Sequence, residues 1–431
     1  MGKRTTHSSM IQARLPVSPE SDPDAEEPPS PQRRRLRSGG ASAGKARNPS
    51  LAVEAPALLD AQSIQLTFDW PAAVRKSNIR YRSPRRPLSL ADYSVVVLYS
   101  LALGLERGQP RDLLADEDTA RVAAHIAEAM RGQVAEVHLV PVWDDLLGAL
   151  RPFDPRRDLV FNLVESIGGQ GGSEQEVPHL LQQLGFRFTG ATSRNLRQTG
   201  DKVKAKRRLE KAGLITPPCQ LVRRLGQLDE RFPLPAIVKP VAEGGSMGIT
   251  QSSVVSDARA LRRQVAECLA TYRQPALVES FIAGREINVA MWGRRNPEIL
   301  PLSEIVFNWT DDPLKQIVSF DAKWVEDSVE FTQTPGICPA HLTAAEAQAV
   351  RSAAERTYRE FGLRGFARVD MRLRDGIPYI LEVNPNPDLG PGAGFYRSAA
   401  AAGYSYASMV LHILQLAFTA PQWSRYALPA V

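Results

Sequence analysis

The chain has 431 residues, 43% of them hydrophobic, and carries 53 Lys and Arg against 47 Asp and Glu, for a formal net charge of +6. That length and apolar content exclude a chain that is disordered throughout and imply two or three packed domains. The positive excess is local: residues 1–90 hold 15 Lys and Arg against 8 Asp and Glu, and the remainder holds 38 against 39, so a nucleic-acid partner is not expected for the body of the chain.

Residues 1–90 read as a disordered Pro/Arg-rich tail and linker. Runs such as Glu26-Glu27-Pro28-Pro29-Ser30-Pro31 and Arg33-Arg34-Arg35-Leu36-Arg37 have no helical or strand period and too little apolar surface to offset the entropy of ordering. Within it, Ile64 to Phe68 alternates like a strand and Trp70 offers an anchor. No apolar run of 18 residues suggests a membrane span, and no secretory h-region is expected. The three cysteines, Cys219, Cys268 and Cys338, fit neither a disulfide framework nor a zinc pattern, so the reading is a cytoplasmic protein.

From residue 91 the pattern changes. Ser94 to Tyr99 is almost continuously apolar, as in a parallel strand buried on both faces. A helix near Asp116 to Arg131, strands at Val137 to Val140 and Asp158 to Val164, and a Gly-rich stretch from Gly168 to Gly172 follow. This alternation predicts an open parallel α/β subdomain over 91–195. A second unit, 196–283, has a basic helix from Asp201 to Ala212, a strand at Ala236 to Pro240, and a glycine loop, Glu243-Gly244-Gly245-Ser246-Met247-Gly248. Ile249 to Val255 then reads as a strand, followed by a helix near Asp257 to Tyr272 and a strand from Ala276 to Ile282. A third unit, 284–420, contains a capping box at Thr343-Ala344-Ala345-Glu346, a hairpin turning at Asp375-Gly376, and an apolar helix near Met409 to Phe418. Residues 421–431 read as a tail.

The hairpin carries the strongest chemical signal. Arg368 and Asp370 share one face of their strand, and Glu382 and Asn384 share one face of the partner. Carboxylate and amide oxygens are the ligands Mg²⁺ prefers. The same residues would also suit the polar face of an edge hairpin. A two-residue turn alone would set Asp370 and Glu382 on opposite faces, so a shared metal requires an odd loop or a bulge. In the glycine loop, backbone N–H groups and the Ser246 hydroxyl can approach an anion, although a flexible hairpin tip has the same composition. Lys239 lies within a buried strand and needs a counter-charge. Lys202 begins a helix, where the dipole favours an anion. Glu279 and Glu286 flank a strand end, where they are either ligands of a nucleotide or ordinary exposed charges.

In this order, Lys202, Lys239, the glycine loop, Glu279 to Glu286, Arg368-x-Asp370 and Glu382-x-Asn384 resemble the ATP-grasp superfamily, most closely its D-alanine–D-alanine ligase branch, over about 94–420. The resemblance implies an ATP-grasp α/β fold and a ligase that joins a carboxylate to an amine through an acyl phosphate. It implies that Lys202 and Lys239 bind ATP phosphates and that Glu243, Gly245, Ser246 and Gly248 belong to the loop covering them. Glu279 and the Ile282 backbone would hold adenine, and Glu286 the ribose. Asp370, Glu382 and Asn384 would hold two Mg²⁺, or Mn²⁺. Arg368, Lys323 and Ser246 would be the catalytic groups, with Arg368 at the oxyanion and Lys323 at the transferred phosphoryl. The substrates would be small amino-acid-like molecules, with no nucleic acid and no membrane involved, and the family implies a homodimer.

Around the substrates the chain departs from that pattern. Pro385-Asn386-Pro387-Asp388-Leu389 replaces a Thr-x-Pro-Gly-Met-like run, and no Ser-Leu pair follows to grip the second substrate's carboxylate. Arg397 or Ser398 would take that role. Glu106 matches the family's acidic N-terminal stretch only loosely, and Trp324 stands at the usual loop Tyr. Two alternatives therefore stay open: a ligase of other amino acids or a small metabolite acid, and an inactive nucleotide-binding module that acts through a partner.

Overall fold

In the computed structural model of the protein, the described residues are 89–420 except 102 and 105–107, within one compact unit, Arg82–Val431. The expectations for the basic tail, for Ile64 to Trp70, for Glu106 and for residues 421–431 lie outside them.

The first layer begins with β1 (Ser94–Ser100), α1 (Leu113–Met130), β2 (Glu136–Val142), α2 (Leu146–Leu150), β3 (Asp158–Leu163), α3 (Glu176–Leu184) and β4 (Arg187–Phe188). The strands form a parallel sheet in the order β2-β1-β3-β4. Alternate side chains of β1 point to opposite faces, and both faces are covered. Val95 and Val97 join Ile126 and Met130 of α1 in one core, while Val96 and Leu98 join Val177 and Leu181 of α3 in another. Burial on both sides is why the strand reads as an unbroken apolar run.

Two helices, α4 (Ser193–Thr199) and α5 (Lys202–Lys211), lead to an antiparallel sheet of β5 (Cys219–Val222), β6 (Ala236–Pro240), β7 (Val254–Val255) and β8 (Ala276–Ser280), in the order β5-β8-β6-β7. It packs on α6 (Ala258–Tyr272). The Asp201 side chain caps α5, accepting from the Val203 and Lys204 N–H groups. The strand expected over Ile249 to Val255 is a correction: a 3₁₀ turn occupies Gln251–Ser253 and only Val254–Val255 pairs. The hydroxyls explain it. Ser253 Oγ accepts from the Thr250 N–H at 3.0 Å, and such local side-chain bonds compete with a ladder.

The third layer is built from β9 (Arg285–Gly293), β10 (Glu298–Ile299), β11 (Ser303–Ile305), α7 (Phe320–Trp324), α8 (Val329–Thr332), β12 (Gly336–Ile337), α9 (Ala344–Phe361), β13 (Gly365–Arg374), β14 (Ile377–Asn384), α10 (Gly394–Ala401) and α11 (Tyr406–Thr419). Its sheet runs β12-β11-β9-β13-β14, with β10 beside β9. Ile287, Val289, Val369, Met371 and Leu373 point to one face and pack with Val350, Ala354 and Tyr358 of α9. Trp292, Phe366 and Ala290, on the other face, join the core shared with β1, α10 and α11. Among the described residues no helix is long and apolar enough to cross a membrane.

The hairpin geometry meets the condition that a shared site imposes. Arg374 pairs with Ile377 across Asp375-Gly376, a two-residue turn. Its φ angles are +53° and +74°, the primed-turn geometry that matches strand twist. One extra residue in β14, Leu381, then shifts the register: Met371 lies opposite Ile380, but Asp370 lies opposite Glu382. This bulge returns both carboxylates to one face. Gly376→Ala introduces a side chain at positive φ, so it is expected to lower unfolding stability by about 1–2 kcal/mol, as measured by urea denaturation, while the cleft chemistry stays intact.

Candidate active site

The three layers border a cleft of about 1230 Å³. Its lining includes Lys202, Lys239, Glu243, Gly245, Ser246, Glu279, Ile282, Glu286, Lys323, Arg368, Asp370, Glu382 and Asn384. The sequence-predicted residues therefore meet in one place, apart from Gly248, which is not among the lining residues.

Cations and carboxylates are interleaved along its floor. Glu279, 1% exposed, lies between Lys206 Nζ at 2.7 Å and Lys239 Nζ at 3.1 Å. Burial opposes ionisation of this carboxyl, but the two ammonium groups hold it below its ordinary range. Lys206 also donates to Thr216 Oγ1 at 2.7 Å. Glu279, expected at adenine, lines the cleft and has its carboxylate on both lysines, because two cations this deep in the protein require an anion. Lys202 Nζ lies 3.3 Å from Glu382 Oε1 and donates to the Glu243 carbonyl. Burial again opposes ionisation of Glu382, and Lys202, Lys239 and Arg368 outweigh it, leaving its pKa below the usual value.

Asp370 is the most heavily bonded carboxylate of the hairpin. Arg368 grips it with Nε at 2.7 Å and a terminal nitrogen at 2.8 Å. Asn288 donates to it at 2.8 Å and Asn384 at 2.7 Å. Such a two-pronged Arg–carboxylate pair fixes direction as well as charge. Glu286 pairs with Arg372 at 2.8 Å, yet burial, the largest influence, still raises its pKa. Arg372 is 4% exposed; it donates to the Gly284 carbonyl at 2.8 Å and to that of Gln316.

The glycine loop adopts the conformations its composition allows. Gly245, Ser246 and Gly248 have φ of +58°, +62° and +77°. A Cβ on Gly248 would lie 2.7 Å from Pro240 Cγ and 3.0 Å from Tyr272, so the loop is tied to the strand that carries Lys239. The segment bearing Lys323 lies against this loop. Trp324 Nε1 donates to the Gly245 carbonyl at 2.7 Å, Ser246 Oγ donates to the Val318 carbonyl at 2.9 Å, and the Phe320 N–H donates to Ile249 O at 2.8 Å. The Lys323 ammonium lies 4.4 Å from the Trp324 ring centre. Ser246 has no strand–turn–helix setting of the kind a nucleophilic serine needs.

Sequence reasoning missed Lys206, Glu174, Asn288 and Arg372. Lys206 was legible as the residue one turn after Lys202 on the same helix face. Glu174, whose carboxyl is raised by burial, had no local signal. Arg372 shares the strand face of Arg368 and Asp370, with Glu286 opposite it on β9 and Asn288 opposite Asp370. Of the two residues considered for the second carboxylate, Arg397 lines the cleft. Ser398 is fully buried and is absent from the lining, because its side of α10 packs inward.

This three-layer arrangement, with its lysines, glycine loop and carboxylate hairpin around one cleft, defines an ATP-grasp protein. The same architecture is found in the D-alanine–D-alanine ligase from Bacillus anthracis complexed with ATP, at a TM-score of 0.58 and 19% identity over 76% of this chain and 97% of that one. The D-ala D-ala ligase C-terminus family matches residues 209–415. The chain is 31% identical over 284 residues to the D-alanine–D-alanine ligase of Desulforudis audaxviator, covering 62% of this chain and 87% of the relative. It is 33% identical over 304 residues to the uncharacterized protein y4sG of Sinorhizobium fredii, covering 69% and 87%. The chain belongs to the D-alanine–D-alanine ligase family of ATP-dependent carboxylate–amine ligases.

Replacing Glu279 with Gln leaves two lysines without a charged partner in the interior. The expected loss is about 3–5 kcal/mol of unfolding free energy, as measured by urea denaturation at neutral pH. Because its native pKa is depressed, the carboxylate's contribution is complete above its unfolded value and is lost as pH falls through the native one. Stability followed down to acid pH is therefore expected to fall less steeply in Glu279→Gln than in the wild type.

Proposed function

We propose that the protein joins two amino-acid-like substrates by an amide bond, using ATP. A carboxylate of the first substrate takes the γ-phosphoryl group, giving an acyl phosphate and ADP. The amine of the second substrate attacks the acyl carbon, phosphate leaves, and the amine loses its proton. The observation that carries this reading is the convergence of Lys202, Lys239 and Arg368 with Asp370, Glu382 and Asn384 on one wall of one cleft. Phosphoryl and acyl transfer depend chiefly on neutralising charge as it develops, and this wall is rich in cations and oxygen ligands.

In this reading Lys202 and Lys239 hold the phosphates, and Lys323 reaches the transferred phosphoryl. Glu243, Gly245, Ser246 and Gly248 form the cover, the Ile282 backbone meets adenine, and Glu286, steadied by Arg372, meets the ribose. Glu279 meets adenine as well and aims Lys239. Arg368 stabilises the oxyanion at the acyl carbon. The bond from Trp324 to Gly245 supports a role for the cover in excluding water from the acyl phosphate. The donor set of Asp370, Glu382 and Asn384 is all oxygen and aligned on one face by the bulge, which fits two Mg²⁺, or Mn²⁺. When bound, such ions supply positive charge at the phosphate oxygens. The reading includes a cytoplasmic homodimer, supported by three free cysteines and by the family, with the chemistry in 91–420.

ATP-dependent phosphate release, screened over single amino acids and pairs with and without Mg²⁺, tests this. Release is expected only with Mg²⁺ and an amino acid. Glu382→Ala is expected to lower kcat by about 10²–10³, the scale of losing one group that stabilises developing charge. Absence of release with every substrate would overturn the ligase reading, and full activity in Glu382→Ala would overturn the metal assignment.

A further inference from the structure

An α-amino group reaches the cleft largely as ammonium at neutral pH, and its nitrogen attacks only after giving up a proton. The carboxylates of the floor are not free to take that proton. Glu279, Glu382, Asp370 and Glu286 are each held by lysine or arginine, and Glu174 and Glu243 lie with Lys202 at the phosphoryl end. Asp118, on α1, is held by Arg121 at 2.8 Å. His125 lines the cleft but is exposed, with its ring centre 6.4 Å from that of Tyr406. Asp388 differs from all of these. It lines the cleft and forms no ion pair among the described residues. The Gly390 N–H donates to its Oδ1 at 2.7 Å, and its Oδ2 is left open.

The backbone that carries Asp388 is firmly set. Val383, Pro385, Pro387 and Leu389 are buried, while Glu382, Asn384 and Asp388 are half-buried at the alternate positions. The two prolines fix φ. A Cβ on Gly390 would lie 3.2 Å from Asp388 Oδ1 and 3.3 Å from Val122, so the turn after Asp388 closes against α1. Arg368 of β13 and Tyr406 of α11 both feel its charge. Burial opposes the Arg368 charge, and Asp370, then Asp388, favour it. Burial, then Asp388, raise the pKa of the Tyr406 hydroxyl, and Tyr396 and Asp118 add to the effect. That hydroxyl is buried without a hydrogen-bond partner. The open carboxylate therefore lies near Arg368, the group read at the oxyanion, and is not taken up by it. Asp388 also stands where the Thr-x-Pro-Gly-Met-like run has its glycine, so this carboxylate is the chain's own addition to the pattern it resembles.

We propose that Asp388 is a catalytic base: its Oδ2 receives the ammonium group of the amine substrate and takes a proton from it as the nitrogen attacks the acyl phosphate. The assignment rests on the ligase reading. The lone pair freed on nitrogen forms the C–N bond. The C–O bond to phosphate breaks, and its electron pair leaves with the phosphate. Of the three ammonium protons, one goes to Asp388, one to the departing phosphate, and one stays on the amide nitrogen. A wall of lysines and arginines repels an ammonium group, and an unpaired carboxylate offsets that repulsion at one point. Nitrogen also becomes strongly acidic as its bond to carbon forms, so a carboxylate is base enough to accept the proton at that stage.

Two nucleophiles of different charge test this on Asp388→Asn, whose amide oxygen can keep the bond from Gly390. With the amino-acid pair that gives wild type its fastest phosphate release, kcat is expected to fall by about 10²-fold or more, the scale of losing a positioned base. Hydroxylamine, which is largely uncharged at neutral pH, then replaces the amine substrate. Hydroxamate formation from the same acyl donor is expected to stay near the wild-type rate, with ADP affinity and thermal midpoint unchanged as the check on folding. An equal loss with both nucleophiles, a larger loss with hydroxylamine, or an undiminished rate with the amino-acid pair would overturn the base and leave the ligase reading standing. A wild type that yields neither phosphate nor hydroxamate with any amino acid would overturn the ligase reading and the base with it.

Discussion

Lys206 and Lys239 hold the buried Glu279 carboxylate from two sides, and the cleft is organised around the charge balance this triad begins. Removing one member of a buried ion pair is far more costly than replacing both by well-packed apolar residues. Each cation near the floor is therefore matched: Lys239 by Glu279, Lys202 by Glu382, Arg368 by Asp370, Arg372 by Glu286. The consequence is a set of positive groups whose directions are fixed before any nucleotide arrives. Preorganised charge of this kind needs no reorganisation when a phosphate enters, which is how it favours phosphoryl and acyl transfer. Arg397 and Lys323, which also line the cleft, form no ion pair with a carboxylate among the described residues.

The sheet alternation turns that balance into geometry. Along β13, Val369, Met371 and Leu373 anchor the strand on α9, while Arg368, Asp370 and Arg372 face the cleft. Across the ladder, Asn288 and Glu286 of β9 stand opposite Asp370 and Arg372. The apolar face holds the strand firmly, so the polar face is held too. The bulge at Leu381 extends the same logic to β14 by bringing Glu382 opposite Asp370. Without the extra residue, the period of two would send Glu382 to the apolar side.

The proposed cover is assembled from parts far apart in sequence. Arg111, from just before α1, pairs with Asp321 at 3.1 Å and stacks on Phe320 at 4.9 Å. Trp324 and Ser246 then join the segment to the glycine loop. These bonds are few, and the Arg111–Asp321 pair is more than one-third exposed at both ends. Such exposed pairs contribute little, which is consistent with the opening that the proposed cover requires.

By itself the sequence determined the elements whose reasons are local. Period, caps and turn residues marked β1, α5, α6, α9 and the hairpin, and the spacing of Arg368, Asp370, Glu382 and Asn384 told which side chains share a strand face. The chemical order of those residues carried the family. Tertiary structure decided everything that depends on a partner distant in the chain. It turned Glu279 to Lys206 and Lys239, set Arg372 on Glu286, buried Ser398, and brought Arg397 beside Arg368. It also supplied the one-residue shift at Leu381 that a pattern of alternation leaves undetermined. Charge pairing and burial are properties of neighbours in space, and only the fold says which residues become neighbours.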